Sequence, residues 1–302
     1  MLASVVIRTY NEEKYLDSLL KAIFTQICVL VELEVVIVDS GSTDNTLKIA
    51  NKHGCRIAHI NKTDFTYGRS LNVGCDFAQG EFLVFLSGHC IPVNEHWLDE
   101  LVKPLIDQGI SYTYGRQEGK DTTKFSEYRH FEKCFPLYSK YPQEGFFCNN
   151  ANAAISKEIW QRYKFDEELT GLEDMFIAKQ IVQAGEKIAY IADASVYHIH
   201  NETWHQVCIR YEREAYALQC VMPEVHFNLS DFMRFYLSSI FSDFAVAIQE
   251  KVFFQKAVEI LIFRLMQYWG TYKGNHEHRK LSRQRKLNYF YPKDLEKTSY
   301  EK

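Results

Sequence analysis

Four stretches of this chain put side chains capable of chemistry at spacings that would bring them together. In TGLEDMF, Glu173 and Asp174 stand side by side just after Gly171, at the start of a predicted helix. Adjacent acids at that place complement the helix dipole. The same positive helix end also keeps a carboxylate ionised, and an ionised carboxylate beside a hydroxyl is a general base. In VVIVDSGSTDNT (35–46), Asp39 ends an apolar run and is followed by Ser40 and Gly41. Its carboxylate suits a base or ribose, and Gly41 lets the backbone approach a ligand closely. The plainer reading makes Asp44 a helix N-cap and Asp39 a turn residue. In TYGRSLNVG (66–74), Arg69 and Asn72 are three apart and share a helical face. Together they could neutralise and orient a phosphate, or be an exposed arginine and a cap. In VYHIH (196–200), His198 and His200 point to one face of a strand. That is a ligand pair for a transition metal, or one packed and one hydrogen-bonded imidazole.

A fifth stretch, FLVFLSGHCIP (82–92), runs five apolar residues into Ser87, Gly88, His89 and Cys90, with no acid among them. Its position matters because loops just past the carboxyl ends of parallel strands are where open α/β sheets bind ligands.

The elements that would position these residues alternate through the first half. Strands are expected at 4–9, 33–39, 55–60 and 81–87, and helices at 11–26 (capped by Asn11), within 40–54 and at 70–80. That alternation predicts an α/β fold with a parallel, doubly wound sheet. Beyond Pro92 come a helix, the strand ISYTYGRQ, an irregular aromatic stretch at 116–150, a strand running into a helix at 152–163, a helix at 172–186 and a strand at 187–200. From about 203 the chain reads as helical. The segment 231–274 is too apolar for an ordinary surface helix and too charged to span a membrane, and suggests two amphipathic helices broken near 248–252.

At 302 residues, 46% hydrophobic and 25% charged, the composition is that of an ordinary globular protein with one large domain or two modest ones. Eight scattered cysteines without a CxxC pair exclude a zinc ribbon and a disulfide framework. The amino terminus enters a strand without a basic, cleavable leader, and no run of eighteen uncharged apolar residues occurs, so a reduced, cytoplasmic setting is expected. The 19 Tyr and 21 Phe favour a stacking surface for sugar or base, or an interface. A net charge of −4 hides a basic segment at 273–286, with six Lys or Arg and one Glu. It suits an anionic surface, or is a solvated tail. Nucleic acid is not expected, since no binding module accompanies it.

Taken in order, the TYNEE strand end, VDSGSTDNT, YGRSLNVGCDFAQGEFLVFLS, the ED pair and HxH resemble the inverting family 2 glycosyltransferases of the GT-A fold, over roughly residues 4 to 215. The resemblance implies a GT-A domain at 1–215, a Rossmann-like, mostly parallel sheet flanked by helices. Beyond it, the region at 216–302, helical, aromatic-rich and basic, reads from its own residues as a membrane-interface segment, a helical subdomain packed on the catalytic domain, or a homodimer contact. The resemblance further implies that Asp39 contacts the nucleotide base, that Thr9, Tyr10, Asn11 and Glu12 line the same pocket, and that Asp174, paired with Glu173, is the catalytic base. Ser40, Gly41, Arg69, Asn72, Ser87, Gly88 and His89 would complete the donor site, and Asn149, Asn150 and Asn152 would shape the acceptor and sugar pocket. The partners implied are a nucleotide-sugar donor and a glycan or polyprenyl-linked acceptor in surface polysaccharide assembly, at the inner face of the cell membrane. Where relatives carry Asp-x-Asp for a divalent ion, Mn²⁺ or Mg²⁺, this chain has Ser87-Gly88-His89. Three accounts stay open: a metal on His89 with His198 or His200, no metal with Arg69 and a protonated His89 in its place, or a degenerate site that only binds sugar.

Overall fold

The computed structural model describes residues 1–120, 122–292 and 294. The chain forms two compact units. The first holds Met1–Lys120, Phe131–Glu168 and Glu173–Ile199, and the second the described residues of Asp121–His130, Leu169–Leu172 and His200–Lys302. A domain boundary at 215 is therefore not kept. Residue 215 lies inside a continuous helix, Trp204–Val221, and the division falls before that helix begins.

The first unit is built from β1 (Leu2–Thr9), α1 (Glu13–Phe24), β2 (Glu32–Asp39), α2 (Thr46–Lys52), β3 (Arg56–His59), α3 (Tyr67–Phe77), β4 (Phe82–Ser87), β5 (Cys90–Pro92), α4 (Trp97–Asp107), β6 (Tyr112–Glu118), the last turn of α5 (Phe125–Cys134), β7 (Asn152–Ser156), α6 (Lys157–Tyr163), α7 (Glu173–Gln183) and β8 (Ile188–His198). Eight strands make one sheet in the order β3-β2-β1-β4-β7-β6-β8-β5. β1 to β4 are parallel, as expected, but β7 runs antiparallel to both β4 and β6, so the sheet is mixed beyond β4. Strand alternation assigns the two faces. Val5 and Ile7 pack with Leu16 and Leu19 of α1 and Trp97 of α4, whereas Val6 packs on the other side with Leu71 of α3 and Ile177 of α7. Helices on both faces exclude water from the strands, which is why these strands read as continuous apolar runs.

β2 and β3 lie on one side of β1 and β4 on the other, so the chain reverses its winding at β1. A crevice opens at the carboxyl ends of strands where that happens. Register brings Thr9 beside Asp39 and Arg8 beside Ser87 there.

The second unit is helical: the first turns of α5, then α8 (Trp204–Val221), α9 (Leu229–Gln249), α10 (Phe253–Asn275) and α11 (Arg283–Phe290). The break between α9 and α10 falls at 250–252, with Lys251 at φ 62°. α10 lies so close to α8 that a Cβ on Gly270 would stand 2.3 Å from the Cys208 carbonyl oxygen, and one on Gly274 2.0 Å from that of Glu212. Arg264 of α10 forms a buried ion pair with Asp243 of α9, at 2.8 Å. The unit also encloses Glu127, whose carboxylate accepts from Arg210 and lies 2.6 Å from His200 Nδ1. Burial alone would raise Glu127, but His200 and Arg210 hold it well below the usual carboxylate range. The end of the expected C-terminal region, 295–302, lies outside the described residues.

Candidate active site

Two loops meet at the carboxyl edge of β1 and β2. Asp39 is fully buried. Its Oδ1 accepts from Thr9 Oγ1 (3.0 Å) and Ser42 Oγ (2.5 Å), and its Oδ2 from the N–H groups of Gly41 and Ser42 (both 2.9 Å). Four bonds use the acceptor capacity of a carboxylate. Asp39 thus shapes the 40–44 loop, which turns at Gly41 with φ 94°. Ser40 donates to the Thr9 carbonyl at 3.2 Å. Asn11 reaches the same loop from β1: its N–H donates to Ser42 Oγ (2.9 Å), and its side-chain oxygen accepts from Thr43 N–H (2.8 Å). Asn11 does not cap α1, which begins at Glu13; its φ of 55° takes it out of the geometry of a cap. Tyr10, half-buried, holds the Lys62 ammonium over its ring at 4.4 Å.

On the β4 side, Ser87, Gly88 and His89 turn the chain from β4 into β5. A Cβ on Gly88 would stand 3.0 Å from Glu12 Cγ, so glycine allows the Glu12 side chain to cross the turn. Glu12 Oε1 lies 3.3 Å from His89 Nδ1, and Ser87 Oγ 3.3 Å from His89 Nε2. The His89 ring stacks on His198 at 5.2 Å, and His198 stacks on Phe131 at 5.8 Å. His198 Nδ1 lies 2.7 Å from Gln117 Oε1. Such a bond places the proton on Nδ1 and the lone pair on Nε2. Ring nitrogens of His89 and His198 lie within 4.8 Å of each other. A ligand imidazole whose second nitrogen is held by an outer partner is what a metal site requires, and the pair fits a divalent transition ion. His200 belongs to the second unit, where Glu127 holds it. The Cys90 thiol is buried in the core and pushed well above its ordinary range by that burial.

The acid pair opens α7. Glu173 pairs with Arg8 at 3.2 Å, and Arg8 also donates to the Tyr67 carbonyl and lies over the Tyr67 ring at 4.9 Å. Asp174 accepts through Oδ2 from Asn150 N–H (2.9 Å) and through Oδ1 from Met175 N–H (2.8 Å). Its carboxyl is raised from 3.8 to about 7 by burial first and by the Glu173 charge second, against the two backbone donors and Arg8. The Ser87 N–H donates to the Ala151 carbonyl, which places the 149–151 turn beside the end of β4. The buried acid pair, the Arg8 cation and the His89 imidazole therefore reach one edge of the sheet from α7, β1 and the β4–β5 turn.

Four expected site residues do other work. Arg69 and Asn72 do converge on an anion, but it is the carboxylate of Glu167, at 2.8 and 3.0 Å. Asn72 further donates to the Phe165 carbonyl and accepts from Trp160 Nε1 and Phe165 N–H, so its amide has no capacity left for a phosphate. Asn152 is fully buried on β7, accepting from Trp97 Nε1 and donating to the carbonyls of Arg116 and Ala194. It ties strands together instead of lining a pocket. Asn149 caps its own turn through Ala151 N–H, while Asn150 keeps its place beside Asp174, accepting from the Tyr112 hydroxyl. Arg8 is the residue the sequence reading missed. The signal was a lone charge closing the apolar strand SVVIRT.

Residues 4–164 match the family described as glycosyl transferase family 2. The chain belongs to this family. Among curated relatives, the family 2 chain is 32% identical over 189 residues to the O-antigen chain rhamnosyltransferase WbaN of Salmonella anatum, covering 59% of this chain and 60% of that one. It is 29% identical over 223 residues to the O-antigen chain rhamnosyltransferase RfbN of Salmonella typhimurium, covering 70% of each. The chain thus spans about three fifths of the length of the first of these relatives. Among solved structures, the mannosyltransferase PcManGT of Pyrobaculum calidifontis, in complex with GDP-Man and Mn²⁺, superimposes with a TM-score of 0.60 at 18% identity, covering 97% of this chain and 86% of that one. Residues 1–349 of S. aureus TarS, in complex with UDP, give 0.55 at 18% identity, covering 93% and 94%. At such identities the likeness establishes the GT-A fold for this family 2 chain.

Proposed function

We propose that this protein transfers a sugar from a nucleotide-sugar donor to a hydroxyl of a glycan or lipid-linked saccharide, inverting the anomeric centre, in the assembly of a surface polysaccharide. The observation that carries the reading is Asp174: a buried carboxylate held by two backbone N–H groups at a helix start, with its proton affinity raised toward neutrality. A general base works best with such a value near the operating pH. The O-antigen names of two relatives support the polysaccharide setting.

In the reaction Asp174 takes the proton of the acceptor hydroxyl as that oxygen attacks the anomeric carbon. The bond from that carbon to the diphosphate breaks on the opposite face, and the nucleotide leaves with the bonding electrons. Arg8 neutralises Glu173, so that the second carboxylate does not make ionisation of Asp174 still harder. Thr9, Tyr10, Asn11 and the 40–44 loop position the nucleotide, with Asp39 holding the loop. His89 and His198 would hold a divalent ion, with Glu12 and Gln117 orienting the rings. When bound, that ion supplies charge stabilisation to the diphosphate leaving group.

The test is turnover across a panel of nucleotide sugars by wild type and Asp174→Asn, with donor affinity measured for both. Turnover in the wild type, and loss of about 10²-fold or more in the variant at similar donor affinity, is expected. Donor binding without turnover in the wild type would replace the enzyme with a sugar-nucleotide-binding protein.

A further inference from the structure

The stretch that brings an N–H to Asp174, residues 143–151, contains no helix or strand, and two phenols of β6 hold it. Tyr112 and Tyr114 stand at alternate positions of that strand and so share a face. The Tyr114 hydroxyl donates to Gln143 Oε1 at 2.6 Å, and Gln143 Nε2 donates to the Phe147 carbonyl at 2.7 Å, which fixes the start of the stretch. The Tyr112 hydroxyl donates to Asn150 Oδ1 and fixes its end. Among the described residues that phenol is the one hydrogen-bond partner of the Asn150 side chain, whose Nδ2 has none. From the same residue the backbone N–H reaches Asp174 Oδ2 at 2.9 Å.

The chemistry of position 112 singles it out. Tyr112 is fully buried in the core cluster that also holds Leu83, Phe85 and Ile155, where phenylalanine would pack as well and bring no polar atom to desolvate. Its hydroxyl is spent on Asn150 and on the Cys148 thiol, which bonds to the same oxygen. Burial pushes phenol and thiol well above their ordinary ranges, so both keep their protons near neutral pH. The other titratable groups facing Asp174 are Glu173 beside it on α7 and Arg8 from β1, which pair with each other. A hydrogen bond to the ionised carboxylate favours that form. Without the phenol, the Asn150 amide is left buried with no partner, and the turn carrying the N–H loses this tie to β6.

We infer that Tyr112 is a positioning residue for the transfer reaction: through Asn150 it holds the backbone N–H that keeps Asp174 ready as a base. The inference rests on Asp174 as the base and adds a residue that touches no substrate. The test is kcat/KM against pH for wild type, Tyr112→Phe and Tyr114→Phe, with a nucleotide sugar from the donor panel. A base works only when ionised, so losing the N–H bond moves the acid limb upward. Tyr112→Phe should raise that limb by about one unit, lowering the rate about tenfold well below it and less than about twofold on the plateau. Tyr114→Phe, which frees only the start of the stretch, should leave the limb in place. Asn150→Ala should reproduce the shift, and the double variant should go no further than either single change. Asn150→Ala also carries the test if Tyr112→Phe fails to fold. An unmoved limb in folded Tyr112→Phe or in Asn150→Ala, an equal shift in Tyr114→Phe, or additive shifts would overturn the inference and leave Asp174 as the base. No turnover by wild type would instead remove the reaction itself, and the inference with it.

Discussion

Replacing Asp174 with Asn separates the folding consequence of this carboxyl from its catalytic one. In the fold its value rises from 3.8 to about 7, chiefly through burial and then through Glu173. For an acid whose folded value lies above its unfolded value, the unfolded chain loses the proton first as pH rises. Stability is then full below about pH 4, declines as pH rises to about 7, and levels off above that. Roughly three units at about 1.4 kcal/mol each amount to about 4 kcal/mol of stability given up across that window. The amide carries no such penalty, but it accepts through one oxygen only and leaves one of the Asn150 and Met175 N–H groups unpaired, at about 1 kcal/mol. The variant should therefore be more stable than wild type by about 3 kcal/mol at pH 8 and less stable by about 1 kcal/mol at pH 4. Denaturant unfolding at several pH values, followed through the fluorescence of Trp97 and Trp160, which are buried in the first unit, measures the difference. A difference that does not change with pH, or a variant less stable than wild type at pH 8, would refute the assignment of a raised, buried Asp174.

Three further outcomes follow from the geometry. Arg8→Met leaves Glu173 buried without its cation and should cost about 3–5 kcal/mol in unfolding experiments. It should also move the acid limb of the pH–activity profile upward from about 7, with Arg8→Lys restoring part of both. Asn72→Ala strips partners from Trp160 Nε1 and the Phe165 backbone, so it should lower stability by about 2–4 kcal/mol while leaving donor KM within a few fold, whereas a phosphate-binding role would raise KM. His198→Ala should weaken Mn²⁺ binding in titration calorimetry by about tenfold or more, and Gln117→Leu by a smaller factor through loss of ring orientation.

The parallel half of the fold was legible because strands covered on both faces read as apolar runs between well-marked helices, and the 250–252 break showed in the same way. α5 was not legible: FSEYRHFEKC mixes charge and aromatic residues without an aliphatic stripe, and its Phe131 is buried by packing that only the tertiary fold supplies. The same limit explains the amides. Asn72 and Asn152 look like ligand-binding residues locally, and what fills their hydrogen bonds arrives from Trp160 and Phe165, or from Trp97 and Ala194, far along the chain. Arg8 shows the converse. A charge at the end of an apolar strand marked the crevice, and its partner Glu173 lies 165 residues away. In SGHC, the apolar run before it located a turn at the carboxyl end of a parallel strand, but only the structure shows Glu12 crossing Gly88 to reach His89.

The central claim is that Asp174 removes the acceptor proton in a single displacement at the anomeric carbon. Its most direct test is the anomeric configuration of the product, read by proton NMR during turnover of an accepted nucleotide sugar. The account predicts a product of opposite configuration to the donor, formed by wild type and not by Asp174→Asn. A product that retains the donor configuration, or one formed by the variant at the wild-type rate, would contradict it.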